Sequence, residues 1–225
     1  MKPLKIEPFG DAALLVTLGE VISLEVHQKV VSFVRAIESS SIVGVGELIS
    51  SYNTVTVYYD FLQIPYSELK SQLEELDIEK ISIPEKNIVQ IPVCYDEEFA
   101  LDMKEVISKT NLSKEEIVKL HTSKEYLVYM LGFMPGFFYL GGMDTRLRCE
   151  RKEKPRLKVA SGSVGIAGGQ TGVYPLDSPG GWQIIGKSPV KFFDKSNSSN
   201  YFKIQQGDGI RFYEISKDEF INTFQ

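Results

Sequence analysis

"GSVGIAGGQTGVYPLDSPGGW", residues 162–182, holds seven of the chain's 18 glycines. Glycine weakens helices and strands alike, and is used where backbone must bend or be approached closely. The stretch suits a phosphate cradle, a groove lining, or the corners of a β-barrel. Its glycines at 162, 165, 168 and 172 do not make the G-x-G-x-x-G turn that precedes a dinucleotide-binding helix. Just beyond it, "GWQIIGKS" (181–188) matches the P-loop pattern letter for letter. That motif needs a strand, then a loose loop, then a helix. Here the loop positions are Trp-Gln-Ile-Ile, which favour a strand, and Pro189 biases Ser188 away from helical dihedrals. The region therefore reads as β-structure, with bulges, corners or close ligand approach at its glycines.

The same style continues on both sides. From Tyr126 to the end, short apolar runs are split by Gly, Pro, Asn and Asp. "WQIIG", "VKFFD", "YFKIQ" and "IRFYEI" are the strand candidates, and "DKSNSSN" (194–200) is a surface-loop candidate. Closely spaced strands with turn signals predict a barrel or sandwich. Before it, "IVQIPVCY" reads as a strand. Ser113 and Glu116 have capping-box spacing ahead of Ile117 and Leu120.

The first part alternates differently. "AALLVTLG" (12–19) is a predicted strand. Ser23 caps a predicted helix to about Glu38, with Leu24, His27, Val31 and Val34 on one face. "GVGELISS" and "NTVTVYYD" follow as strands, then a helix over about 66–76 striped by Leu69, Leu73 and Leu76, then "EKISI". The order βαββαβ is the ferredoxin-like split unit. The polar joint "PEKN" marks a boundary, giving an α/β domain over 1–84 and a β-rich domain over 85–225.

Composition narrows the function. A net charge of -5 argues against nucleic acid as the main partner. The uncharged run Tyr126–Met143 is broken by five Gly or Pro residues, so no membrane span is expected. The start lacks a signal peptide's apolar core. Cys94 and Cys149 stand apart without zinc-ligand spacing, so no metal is implied and two free thiols of a cytoplasmic protein are expected.

Two features carry candidate chemistry. Arg146, Arg148, Arg151, Lys152, Lys154, Arg156 and Lys158 form a cationic run leading into the Gly-rich stretch. Guanidinium groups clamp carboxylate or phosphate, which favours Arg151 and Arg156, while the lysines suit a solvated hairpin. His121 ends a predicted helix, where it suits either a cap on the helix's negative end or an acid/base group. His27 lies on a helix face and reads as packing or surface. No complete catalytic set is visible.

"GFMPGFFYLGGMDTRL", "GSVGIAGGQTGVYP" and "SPGGWQIIGKSP" resemble the family that includes the B-type 5-oxoprolinase subunit (PxpB), the histidine-kinase inhibitor KipI and allophanate hydrolase subunit 1. The likeness extends to "IPVCYDEEF" and "LHTSKEYLVYMLGF". Glu150 stands where the family usually has Pro, and Lys187-Ser188 where it has Arg-Thr. The resemblance implies an α+β protein: a small α/β domain followed by a cyclophilin-like β-barrel. It implies a component of a cytoplasmic complex that opens 5-oxoproline to glutamate using ATP, with a C-type (PxpC-like) and an A-type (PxpA-like) subunit as partners. The alternatives are a module that docks on a sensor histidine kinase, and a urea-degradation subunit. On the first reading Arg151 and Arg156 hold a carboxylate or acyl-phosphate, and Ser163, Gln170 and Tyr174 serve the lactam. Trp182 walls the pocket, and His121 shuttles a proton.

Overall fold

The computed structural model describes residues 4–81, 86–194, 196 and 203–223. The chain forms two compact units, 1–85 and 86–225.

In the first unit, β1 (Lys5–Pro8), β2 (Ala13–Thr17), β3 (Val45–Ser50) and β4 (Thr54–Tyr59) form an antiparallel sheet in the order β1-β2-β4-β3. Helices α1 (Leu24–Ser40) and α2 (Tyr66–Glu74) belong to the same core. Ser23 caps α1 by accepting from the Val26 amide. The alternation in β4 holds, with Val55 and Val57 fully buried between half-buried threonines. Three expectations need correction. Of the expected α1 face His27 is buried and Val34 half-buried against the core, but Leu24 is exposed, and the apolar buried face is Val26, Val30, Phe33 and Ile37. Strand β1 is an addition to the expected order; it occupies the edge beside β2 that a ferredoxin-like unit gives to its last strand. Residues 79 and 80, the start of the expected "EKISI" strand (79–83), belong to a 3-10 turn over Ile78–Lys80, and residues 82–85 lie outside the described set.

The second unit is built on seven strands. They are β5 (Ile88–Val93), β6 (Glu125–Leu131), β7 (Phe138–Gly141), β9 (Ser163–Ala167), β10 (Gln170–Val173), β12 (Gln183–Lys187) and β13 (Gly209–Glu214), in the order β12-β9-β10-β7-β6-β13-β5. The two edges meet where the Cys94 amide donates to the Lys187 carbonyl (2.8 Å) and the Lys187 amide returns to Cys94 (2.9 Å). The sheet is thereby nearly closed into a barrel. A separate ribbon pairs β8 (Arg156–Val159) with β11 (Ser178–Gly180). Helices α3 (Met103–Thr110), α4 (Lys114–Thr122) and α5 (Lys217–Thr223) complete the unit. The Ser113–Glu116 capping box is formed in both directions. "GWQIIGKS" folds as β12 and its flanks. Among the described residues "VKFFD" forms no strand beyond a single β-bridge at Phe193. Residues 195 and 197–202, covering most of the expected "DKSNSSN" loop and the start of "YFKIQ", lie outside the described set. Among the described residues no helix is long and apolar enough to cross a membrane.

The barrel sheet has two apolar faces. Inward, Val164, Ile166, Val173, Phe138, Leu140 and Ile185 join the main core. Outward, Phe137, Ala167, Tyr174, Trp182, Ile184 and Val159 form a second cluster. Two glycines make the outer layer possible. A β-carbon at Gly172 would stand 2.8 Å from the Phe138 carbonyl oxygen and 3.1 Å from the Trp182 ring. One at Gly165 would stand 3.1 Å from Trp182 Cβ. The indole therefore lies directly on bare backbone. Gly172→Ala is expected to lower the unfolding free energy by about 1–3 kcal/mol through overpacking, measured by chemical denaturation; an unchanged midpoint contradicts this packing.

Candidate functional site

His121 lies on the inner face. It is fully buried, stacked on Phe212 with ring centroids 4.5 Å apart. Tyr95 Oη is 2.7 Å from Nδ1, and Thr171 Oγ1 is 2.9 Å from Nε2. The Thr171 hydroxyl donates to the Gly165 carbonyl at 3.1 Å. That direction fixes the others: Tyr95 O–H donates to Nδ1, and Nε2–H donates to Thr171. The imidazole is neutral with both nitrogens satisfied. Burial lowers its pKa to about 3. The residue expected as a proton shuttle is thus a strut through the barrel interior. Thr171 faces it, whereas the next residue, Gly172, faces Trp182, so His121 and Trp182 occupy opposite faces of β10.

A histidine whose folded pKa is depressed loses stability as pH falls below its unfolded pKa, because only the unfolded state takes the proton. The second unit should therefore lose roughly 1.4 kcal/mol per pH unit below about pH 6. His121→Gln should flatten that slope in denaturation curves between pH 7 and 5. A slope that survives the substitution assigns it elsewhere.

The cationic run resolves into paired and unpaired members. Arg156 places Nη1 2.8 Å and Nη2 2.6 Å from the two oxygens of Asp102. Lys152 reaches Asp102 (2.9 Å) and Glu105 (2.6 Å). The Ile184 amide also donates to Asp102, at 2.7 Å. Burial would raise the Asp102 carboxyl, but Arg156, the Ile184 amide and Lys152 outweigh it and hold the pKa low. Lys109, Lys152 and Gln183 lower Glu105 to about 2. Arg146 pairs with Asp144, Arg148 more distantly with Glu150, and Lys158 with Asp177. The guanidinium fork expected to take a substrate carboxylate at Arg156 is engaged by Asp102. Nothing in the sequence around Asp102 marks it, because its partners lie about 50 or more positions away. Asp102→Asn should destabilise by about 2–3 kcal/mol, short of the fully buried range because both cations stay about a quarter exposed. A smaller thermal shift than that of an exposed-pair control contradicts a structural role.

Arg151 differs. It is exposed, and among the described residues it makes no ion pair. The Lys152 amide donates to the Gly181 carbonyl at 2.7 Å, which sets Arg151 beside Trp182 in the chain path. Its charge acts on the hydroxyls of Tyr139 and Tyr174, both raised by burial and drawn back by Arg151. Those rings belong to the outer cluster. Phe137 lies 4.7 Å from Tyr139, 5.2 Å from Tyr174 and 5.4 Å from Trp182. Tyr174 and Trp182 are nearly inaccessible, and the Trp182 backbone amide also draws the Tyr174 hydroxyl's pKa down. Tyr139, Met134 and Gln170 are partly exposed, and Ser163 is buried. The structure thus gathers Arg151, Tyr174 and Trp182, adds Phe137 and Tyr139, and leaves His121 on the far side of the sheet. Among the described residues, Arg151 is a cation at this aromatic face with no ion pair. Among the described residues no group of His, Cys, Asp or Glu is placed to hold a metal ion. The P-loop-like segment is a buried strand, so these residues do not fit a phosphate cradle.

Residues 4–202 match the family model of the carboxyltransferase domain, subdomain C and D. The B-type 5-oxoprolinase subunit of Bacillus subtilis is 40% identical, over 96% of this chain and 95% of that protein. The chain belongs to the family of B-type 5-oxoprolinase subunits. The crystal structure of TTHA0988 is similar at 33% identity with a TM-score of 0.79, covering 91% of this chain. This chain spans 40% of TTHA0988. The K. lactis urea amidolyase superposes with a TM-score of 0.82 over 97% of this chain and 15% of its own, at 20% identity, a likeness of fold alone. The α+β class with a barrel-like second unit is shared with these structures.

Proposed function

We propose that the chain is the B-type component of an ATP-dependent complex that hydrolyses 5-oxo-L-proline to L-glutamate, and that it is inactive alone. The observation that carries this reading is the full-length 40% likeness to a B-type 5-oxoprolinase subunit. The unpaired guanidinium at the aromatic face is compatible with it. The substrate is a small ring with one carboxylate, and a free Arg151 beside half-exposed Tyr139 offers a charge-assisted anchor next to an apolar wall. ATP is used by the complex; in this chain the phosphate-loop lookalike is strand β12. The partners are C-type and A-type subunits. Two free, buried thiols, Cys94 and Cys149, suit a cytoplasmic setting.

The test is co-expression with the other subunits, followed by an assay of ATP-dependent glutamate release. Arg151→Met should lower kcat/KM about 30- to 100-fold, the loss of one charge-assisted contact. It should leave the thermal midpoint unchanged, because the side chain is exposed and unpaired. Full activity in the variant removes Arg151 from the site. A complex that assembles with ATP yet releases no glutamate overturns the assignment.

A further inference from the structure

Among the described residues other than glycine, three have positive φ: Ser41 (50°), Asn111 (56°) and Phe133 (70°). Ser41 and Asn111 are the left-handed C-caps of α1 and α3, a normal terminus for a helix. Phe133 caps nothing. It sits in the β6–β7 turn, where the Gly132 amide donates to the Phe137 carbonyl and the Phe137 amide to Met134, both at 3.1 Å. A bulky side chain in this region is an outlier that persists only where the surroundings enforce it. Glycine would take the same dihedrals with less strain.

Burial does not offset that strain. Phe133 is 64% exposed. Among the described residues its ring contact is edge-on to Phe137, with centroids 5.7 Å apart. Phe137 is in turn the centre of the outer aromatic cluster that Tyr139, Tyr174 and Trp182 complete. The turn therefore holds a phenyl ring out in water, at the edge of the face that carries Arg151.

We propose that Phe133 is a specificity-determining residue, the apolar wall that covers the saturated edge of a small cyclic carboxylate anchored by Arg151. The inference rests on the site reading above. The lactam presents one carboxylate and an apolar pair of methylenes, which the phenyl ring desolvates. Open-chain glutamate would bring a second carboxylate against the same ring, a contact without compensation. The wall thus favours the closed ring over the opened product.

The experiment uses the assembled complex. It measures KM for 5-oxo-L-proline and the inhibition constant of L-glutamate in the parent, Phe133→Leu and Phe133→Gly. In Phe133→Gly, KM should rise about tenfold while kcat falls less than about threefold, and the preference for the lactam over glutamate should shrink. The thermal midpoint should hold or rise, since strain is relieved. Phe133→Leu, still apolar, should stay within about threefold of the parent KM. An unchanged KM in Phe133→Gly overturns the proposal. So does failure of that variant to assemble, which would make Phe133 a contact between subunits. If Arg151→Met leaves KM unmoved, the site reading falls and this inference with it. If Arg151→Met raises KM while Phe133→Gly is silent, only the role of Phe133 falls.

Discussion

The β9–β10 hairpin is covered on both faces, and the second unit is organised around that constraint. One face meets the barrel core and His121; the other meets Trp182 and its aromatic neighbours. A strand covered on both sides leaves no room for charge, and the hairpin carries none between Ser163 and Val173. It also forces a division of labour along the chain. Branched residues fill the inner layer, while glycine clears the outer layer where an indole must lie on backbone. The concentration of glycine at 162–182 is thus partly a packing requirement of Trp182.

The inner face explains why His121 is a strut. Its ring is the middle of a hydrogen-bond chain from Tyr95 to Gly165, with the Tyr126 hydroxyl donating to its own carbonyl at 2.8 Å. Such a chain ties the end of β5, α4, β6, β9 and β10 together, and a fully satisfied buried network of this kind rigidifies a core. The Asp102 network does related work elsewhere in the unit, anchoring β8 and β12 to the start of α3 through one carboxylate. With both networks engaged in structure, the proposed site lies at the exposed edge of the aromatic face.

Much of this is legible in the sequence. The strand preference of Trp-Gln-Ile-Ile defeats the P-loop match, and the Ser113–Glu116 spacing locates α4, because both are decided by neighbours in the chain. What depends on distant residues is not legible. The bidentate Arg156–Asp102 pair joins positions 54 apart, so a cation suited to a ligand cannot be told from one with an internal partner. The burial of His121 depends on Tyr95 and Thr171 from other elements. The left-handed dihedral of Phe133 leaves no trace, since a search for positive φ nominates Gly, Asn and Asp rather than a bulky phenylalanine. Strand β1 escapes notice because "KIEP" is short and half charged; its pairing to β2 comes from the sheet rather than from local preference.

The most direct measurement is a crystal structure of the assembled complex with 5-oxo-L-proline bound. The predicted result is a ligand carboxylate within about 3 Å of the Arg151 guanidinium, its methylenes against Phe133, and Arg156 still paired with Asp102. A ligand held elsewhere, or held by Arg156 with Asp102 displaced, would contradict it.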